Sequence, residues 1–486
     1  MARRSPLLPI FLIVLVDVLG FTIVIPLLAF YAEKFGATPL VATTLVSVYA
    51  TCSLLSTPLI GRLSDRYGRR PLLLVSQAGT CLGFLMLAFS SSLWMVFVGR
   101  ILDGITAGNL SIAQAYISDH TEPKDRAKAF GVIGVAFGVG FSLGPGLGGV
   151  LSKAYGPHMP FIVAACLSAT SMLATYTLLH EDKKPGTGTG PEGPGGKRPG
   201  AFDLKTYAEY FRRPGLGRIY LQFFLFSFAF SCFMSNFALF SERRFTIAHD
   251  ISRIADKPCV LRADDKLELP GAKRGTVKLG DETLAYDRQW VVIDENTIEL
   301  RGDACARIAS PGFAGAKVTG TFPWSAHEVG LLFVFSGVLG ILLQGGLLGR
   351  LVRKYGEAKL AVMGFIAAAL GYGLLGFTYS LGLLLVVAAL NSFGNGVLRP
   401  ALTSQLTQIA GRDEQGVALG ISGSLSSLAM MMAPPTGGVL LNHEWLLAWA
   451  MIPASVATLG IVVALINYKR ATPASTPPPD ELSSAP

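Results

Sequence analysis

The sequence predicts an all-α membrane protein: twelve transmembrane helices in two six-helix pseudo-repeats, with a small β-rich extracytoplasmic insertion between helices seven and eight. Three observations predict it. Apolar runs of bilayer length hold little charge, basic residues cluster in alternate short loops, and a set of short strings occurs twice in the same order.

Lipid as the solvent follows from composition. The chain is 51% hydrophobic and only 15% charged, with a mean hydropathy of +0.49, whereas a soluble domain carries roughly 25% charge. The first apolar run, Leu7 to Phe30, is too long for a signal-peptide core and has no small-residue cleavage site after it, so it reads as a retained span. A bilayer core needs about 20 apolar residues per helix. Spans are expected at 7–31, 40–63, 72–91, 93–117, 128–153 and 159–179, then at 217–241, 327–350, 358–378, 381–409, 415–441 and 445–467.

The net charge of +9 does not point to nucleic acid, because the basic residues sit in short loops between spans. Arg3 and Arg4, then Arg62, Arg66, Arg69 and Arg70, then Lys124, Arg126 and Lys128, the segment from Lys183 to Arg213, then Arg350, Arg353 and Lys354, and finally Lys469 and Arg470 all fall on one side of a twelve-span chain. The positive-inside rule makes that side, and both termini, cytoplasmic in a multi-pass inner or plasma membrane protein. The division expected is an N-terminal bundle (1–180), a cytoplasmic linker (181–215), the seventh helix (216–245), the β-rich insertion (246–322), the rest of the C-terminal bundle (323–470) and a disordered tail (471–486). Gly/Pro-rich 183–200 should be disordered. Phe202–Arg213, with Leu204, Tyr207, Tyr210 and Phe211 among charges, reads either as an interfacial helix or as more linker.

The repeat is internal. Gly61-Arg-Leu-Ser-Asp-Arg-Tyr-Gly68 matches Gly349-Arg-Leu-Val-Arg-Lys-Tyr-Gly356, and Ser142-Leu-Gly-Pro-Gly-Leu-Gly-Gly-Val-Leu151 matches Met431-Met-Ala-Pro-Pro-Thr-Gly-Gly-Val-Leu440. Two duplicated halves with a substrate site between them near the bilayer midplane are a transporter plan.

Gly61–Arg70 lies in the tight turn between spans two and three, where glycine permits the turn and Asp65 can cap the next helix or pair with an arginine. The string resembles the loop signature of the major facilitator superfamily. That resemblance implies a gating role for Gly61, Asp65, Arg66, Gly68, Arg69 and Arg70; the second copy departs from it, with Arg353 at the place of the Asp. Gly140, Gly144, Pro145, Gly148 and Gly149 in span five allow close helix packing and resemble the family's antiporter signature, which implies export. Arg100, Gly104 and Gly108 resemble a third family motif. Ala115-Tyr-Ile-Ser-Asp119 followed by Asp125-Arg126-Ala127 is similar to the tetracycline-efflux branch and its multidrug relatives. The resemblance covers the helices and leaves out 246–322.

Charges inside apolar spans cost about 2.5–3.5 kcal/mol each on insertion scales and usually have a use. Asp17 lies roughly 15 Å into the first span, and Arg100 and Asp103 share one face of span four. A carboxyl withdrawn from water can exchange a proton as its site opens to either side, so proton coupling is expected at Asp17, Asp103 or both, with Arg100 opposing it at Asp103. A permanent Arg100–Asp103 brace is the alternative. The resemblance supports Asp17. Gln114, Gln222, Asn236, Asn391, Asn395 and Arg399, with Gln344 and Gln405, interrupt the spans as cavity lining or as interhelical hydrogen-bonding groups. The phenylalanines of span seven, Phe223 to Phe233, read chiefly as packing.

In the insertion, alternating stretches occur at Leu267–Leu269, Thr276–Leu279, Thr283–Tyr286, Val291–Ile293 and Thr297–Leu300. Cys259 and Cys305 flank them in an oxidising compartment and are expected to pair; the four cysteines within spans, Cys52, Cys81, Cys166 and Cys232, read as inert packing. No nucleophile, metal set or cofactor motif can be assembled, so the chain reads as no enzyme. The expectation is a monomeric secondary transporter of a drug-like or amphipathic small molecule, exchanging it for protons. A facilitator or symporter for a metabolite, and a receptor or scaffold that uses the insertion to hold an extracytoplasmic partner, are the competing readings.

Overall fold

The computed structural model describes residues 7–120, 126–179, 204–254, 257–263, 273–280, 282–294, 297–310, 318–410 and 414–471. Arg3, Arg4, Lys124, Asp125, the linker at 183–200, Leu267–Leu269 and the tail after 471 lie outside them, as do the side chains of Asp119, Arg126 and Lys128.

In hydrocarbon each backbone N–H and C=O must be satisfied within its own segment, so the apolar runs fold as helices. A first set comprises α1 (Leu7–Lys34), α2 (Pro39–Tyr67), α3 (Arg69–Ala88), α4 (Leu93–Ile105), α5 (Asn109–His120), α6 (Arg126–Tyr155) and α7 (Met159–Leu178). The short α8 (Leu204–Arg212) leads into a second set, which starts with α9 (Leu216–Arg244). After the sheet segment and its helix α10 (Gly302–Ala309) come α11 (Ala326–Leu342), α12 (Leu348–Leu375), α13 (Leu381–Ile409), α14 (Gln415–Asn442) and α15 (Leu446–Ala471). One wide π turn, Leu343–Leu347, joins α11 to α12. Ten helices among the described residues are long and apolar enough to cross a membrane.

Span four is not continuous. The helix breaks between Ile105 and Asn109, and the freed carbonyls are met by hydroxyls from neighbouring helices. Ser56 Oγ donates to Gly104 O (2.9 Å), Thr57 Oγ1 to Ala107 O (2.8 Å) and Ser76 Oγ to Thr106 O, while Gly108 N donates to Ser76 Oγ (2.9 Å). Irregular backbone at membrane depth is tolerated where protein buries it. The glycines make the approach possible: a Cβ on Gly104 would lie 2.7 Å from Tyr49 O.

Between α9 and α11 stands one antiparallel sheet. Its strands are β1 (Thr246–Ile254), β2 (Lys257–Ala263), β3 (Thr276–Leu279), β4 (Glu282–Leu284), β5 (Trp290–Asp294), β6 (Thr297–Leu300) and β7 (Val318–Pro323), in the order β4-β3-β7-β1-β2-β6-β5. The first and last strands pair, from Thr246 with Pro323 to Ile251 with Val318, and so rise together from the ends of α9 and α11. Phe245 and Trp324 pack at that root, with ring centroids 4.8 Å apart. One face of the sheet closes on α10 around the fully buried Trp290, with Leu261, Val277, Ile298, Ala304 and Ile308. This core is separate from that of the helices.

A disulfide joins Cys259 on β2 to Cys305 on α10, with Cα atoms 5.1 Å apart and a sequence separation of 46. Chain entropy for a loop of that length makes its contribution roughly 4 kcal/mol. Cys305→Ala is therefore expected to melt the sheet segment well before the helices; limited trypsin digestion should then cut within the sheet segment faster than in the parent, and equal protection of that segment in variant and parent would contradict this.

Candidate functional site

α1 carries Asp17 to the middle of the first set. Both of its carboxylate oxygens are buried and make no hydrogen bond. Its polar neighbours come from three other helices: Gln77 on α3, Asn109 at the start of α5 and Ser171 on α7. Gln77 Nε2 is committed to Ser171 Oγ (2.7 Å), which leaves Gln77 Oε1 without a partner. Asn109 Oδ1 is equally unpartnered. Four acceptor oxygens, two of Asp17 and one each of Gln77 and Asn109, are thus buried here without a partner; Ser171 and the two amides also carry donors that can serve the carboxylate, which itself supplies none. A carboxylic acid supplies one, its O–H.

Beside it, Arg100 Nη1 and Asp103 Oδ2 lie 3.0 Å apart on one face of α4, the two side chains 1% and 4% exposed. The Arg100 guanidinium also stacks 4.5 Å from the centre of the Tyr49 ring. Asp103 acts electrostatically on Asp17, and both act on Tyr49. The structure therefore brings together Asp17, Arg100 and Asp103, and adds Tyr49, Gln77, Asn109 and Ser171. These four went unmarked in the sequence, although Gln77 and Asn109 interrupt apolar runs just as Gln114 does.

The small-residue string on α6 works as a two-sided ridge. Gly140, Gly144 and Gly148 face α1: Thr22 Oγ1 donates to Gly140 O (2.9 Å), a Cβ on Gly144 would strike Thr22, and one on Gly148 would lie 2.7 Å from Ile23 O. Gly149 faces the second set, where a Cβ would lie 2.7 Å from the Cα of Gly330 on α11. The matching pair on α14 repeats the scheme. Gly437 packs within its own set against Asn236, and Gly438 crosses to Leu40 and Thr43 on α2. All of these crossings lie toward the end of the bundle that carries the sheet. At the opposite end Gly61, Gly345, Gly346, Gly349, Gly420 and Gly423 each face open space.

At that opposite end lies the loop motif. Gly68 takes φ +103° between α2 and α3, a conformation that disfavours any side chain. Arg69 pairs with Asp65 at 2.6 Å and donates to Ser64 Oγ (2.6 Å), and Arg70 donates to Tyr176 O on α7 (2.5 Å). Arg66 lies over the neighbouring Tyr67 ring. In the second copy Gly356 takes φ +72°. There the acidic residue follows the glycine instead of preceding it: Glu357 accepts from Ser404 Oγ (3.1 Å) and Gln408 Nε2 (3.0 Å) on α13.

The remaining polar positions separate. Gln222 is fully buried with its amide unpartnered, Asn236 donates to Cys232 O (2.9 Å), Asn391 is buried without a partner, and Asn395 accepts from Tyr372 Oη (3.3 Å). Gln114 is half-buried on α5. Arg399 reaches across the sets, its guanidinium 4.2 Å from the centre of the Phe137 ring on α6. Phe223, Phe226 and Phe233 are buried in the helical core. None of these joins the Asp17 cluster.

The family model described as Major Facilitator Superfamily matches residues 10–249 and 304–485, leaving out most of the sheet segment. The tetracycline resistance protein of class B from Escherichia coli is 27% identical over 435 residues, covering 89% of this chain and 87% of that protein. The class H protein from Pasteurella multocida is 39% identical over 178 residues, 36% of this chain and 44% of that one. The solved structure of the human organic anion transporter MFSD10 has a TM-score of 0.64 over 96% of this chain and all of that one, at 21% identity, a likeness of fold. A family match across the helices on both sides of the sheet, in a bundle with this repeat, makes the chain a member of the Major Facilitator Superfamily: a multi-pass membrane transporter and not an enzyme.

Proposed function

We propose that the chain exports an amphipathic, drug-like small molecule in exchange for protons, by alternating access between its two helix sets. The observation that carries this reading is the Asp17 carboxyl, buried among unpartnered acceptors. Its acid form can donate to Gln77 Oε1 or Asn109 Oδ1, and its charged form can do neither. Substrate and proton then compete through one site. The names of the relatives support a drug as cargo.

The architecture proposed is twelve crossings. The run Ala326–Leu375 has 50 residues, about 75 Å of helix, which is more than twice the roughly 30 Å hydrocarbon core. It turns at Gly356 and so counts as two crossings; adding α6 completes the number. The basic loops lie at the end opposite the sheet, which supports a cytoplasmic assignment for that end and an extracytoplasmic one for the sheet. Close backbone packing between the sets at the sheet side corresponds to a state closed on that side.

The test is transport in proteoliposomes, with tetracycline as the first probe and an imposed pH gradient. Flux that follows the gradient and reverses with it is expected. Flux indifferent to the gradient would leave a facilitator.

A further inference from the structure

We infer that Glu33 and Glu242, held against Arg243 where α1 meets α9, form a second proton-binding site, whose proton is taken up as the two helix sets close at the sheet side and lost as they part. This goes beyond the proposed function, and it requires neither a direction of transport nor a role for Asp17.

The geometry is a buried ionic cluster across the interface between the sets. Arg243 Nη2 lies 3.0 Å from Glu33 Oε1, and Arg243 Nη1 lies 3.1 Å from Glu242 Oε2. The side chains of Arg243 and Glu242 are 3% exposed and that of Glu33 is 10% exposed. Glu33 also acts electrostatically on Glu242. One guanidinium therefore faces two carboxyls in a place with little water. Two like charges on one guanidinium with little water disfavour each other, so Glu242, the more buried carboxyl, takes up a proton there. Glu33 belongs to the first set and the other two residues to the second, so the contact exists only while the sets are closed.

Other titratable groups stand on the elements packed around the cluster. On α1, Lys34 is exposed. On α9, Arg244 is turned away, donating to Gly376 O (2.9 Å) and lying over the Tyr379 ring. Before β3, Arg274 acts on Glu242 but is exposed, so water screens it. On α11, Glu328 is committed to its own helix start, accepting from Ser325 N (2.7 Å), and His327 adjoins it. On β1, His249 packs on Phe322 and Asp250 follows it. Glu444 and His443, in the turn before α15, are exposed.

The sign follows from proton counting. The closed state binds one proton that the open, hydrated carboxylates release, so acid favours closure, by at most about tenfold per pH unit. The device reads the pH of the sheet side, which is where the Asp17 cluster is shut off in this state.

The test is the distance between spin labels on Phe89→Cys and Trp445→Cys, two exposed positions at the sheet-side ends of the two sets. It uses the full chain with Cys52, Cys81, Cys166 and Cys232 replaced, in lipid nanodiscs, with Asp17→Asn present so that the central carboxyl contributes nothing. The closed fraction is expected to rise as pH falls. Glu242→Gln should be closed and flat with pH, since one carboxylate then faces one guanidinium. Glu33→Gln should be flat as well, with a smaller closed fraction. If Glu242→Gln does not fold, Glu33→Gln decides alone. A flat profile in the parent, or pH dependence kept in both variants, would overturn the proposal. Either result would leave gradient-driven transport, measured separately, to judge the proposed function.

Discussion

Asp17→Asn is expected to give a folded protein that binds substrate but no longer links that binding to pH. Asparagine keeps the shape of the acid and is always neutral. Its amide can donate to Gln77 Oε1 or Asn109 Oδ1, both of which are buried without a partner in this structure, so the variant should melt no lower than the parent. Coupling between two ligands is reciprocal and typically about 1–3 kcal/mol, or 5–150-fold. In the parent, substrate Kd should weaken by a factor in that range from mildly alkaline to mildly acidic pH, because proton and substrate compete. In the variant Kd should be flat, and uphill transport in proteoliposomes should be lost. A variant with the parent's pH profile would remove Asp17 from the mechanism. Asp103→Asn should behave differently. It strands Arg100, which is 1% exposed, and breaking a buried pair from one side costs about 3–5 kcal/mol. Lost stability at Asp103 with retained stability at Asp17 would assign the brace to the first and proton exchange to the second.

That contrast was partly readable in the chain. A carboxyl in an apolar run is conspicuous because lipid makes it expensive, so Asp17 and the Arg100–Asp103 pair stood out. Gln77, Asn109 and Ser171 did not. Amides and hydroxyls also serve as helix–helix hydrogen-bonding groups, and nothing in their spacing says which ones converge. Glu33, Glu242 and Arg243 escaped for another reason: each lies at the end of an apolar run, where charge is ordinary, and only the approach of α1 to α9 buries them. The helices followed from hydropathy because lipid leaves the backbone no alternative. The break between α4 and α5 did not, since it depends on Ser56, Thr57 and Ser76 from other helices. In the insertion, the short strands from Thr276 onward alternate visibly. The longest, Thr246–Ile254, carries His249, Asp250 and Arg253 and owes its place to pairing with a strand at the far end of the segment.

Gly149→Val is expected to stop transport without unfolding the bundle, and the reason lies in where the two sets touch. The added Cβ alone would sit 2.6 Å from Ala326 O and 2.7 Å from the Cα of Gly330, and backbone cannot step aside as a side chain can. Overpacking of this kind costs about 1–3 kcal/mol. At Gly149 that cost falls only on the state in which the sheet side is closed. When the sets part, α6 and α11 separate and the branched side chain meets nothing. The substitution therefore acts on a conformational equilibrium, moving it by roughly 5–150-fold toward the sheet-side-open state. Gly148→Val is the control. It has the same chemistry one residue earlier, but there the Cβ strikes Ile23 O within the first set, a contact present in every state, so the damage should appear as lost stability. Labels at Phe89 and Trp445 should lengthen in Gly149→Val and keep the parent's distance in Gly148→Val, whose melting point should fall instead. Equal distances and equal melting in the two variants would mean that the ridge on α6 only fills space, and that the adjacent glycines are not divided between holding a set together and letting it meet its partner.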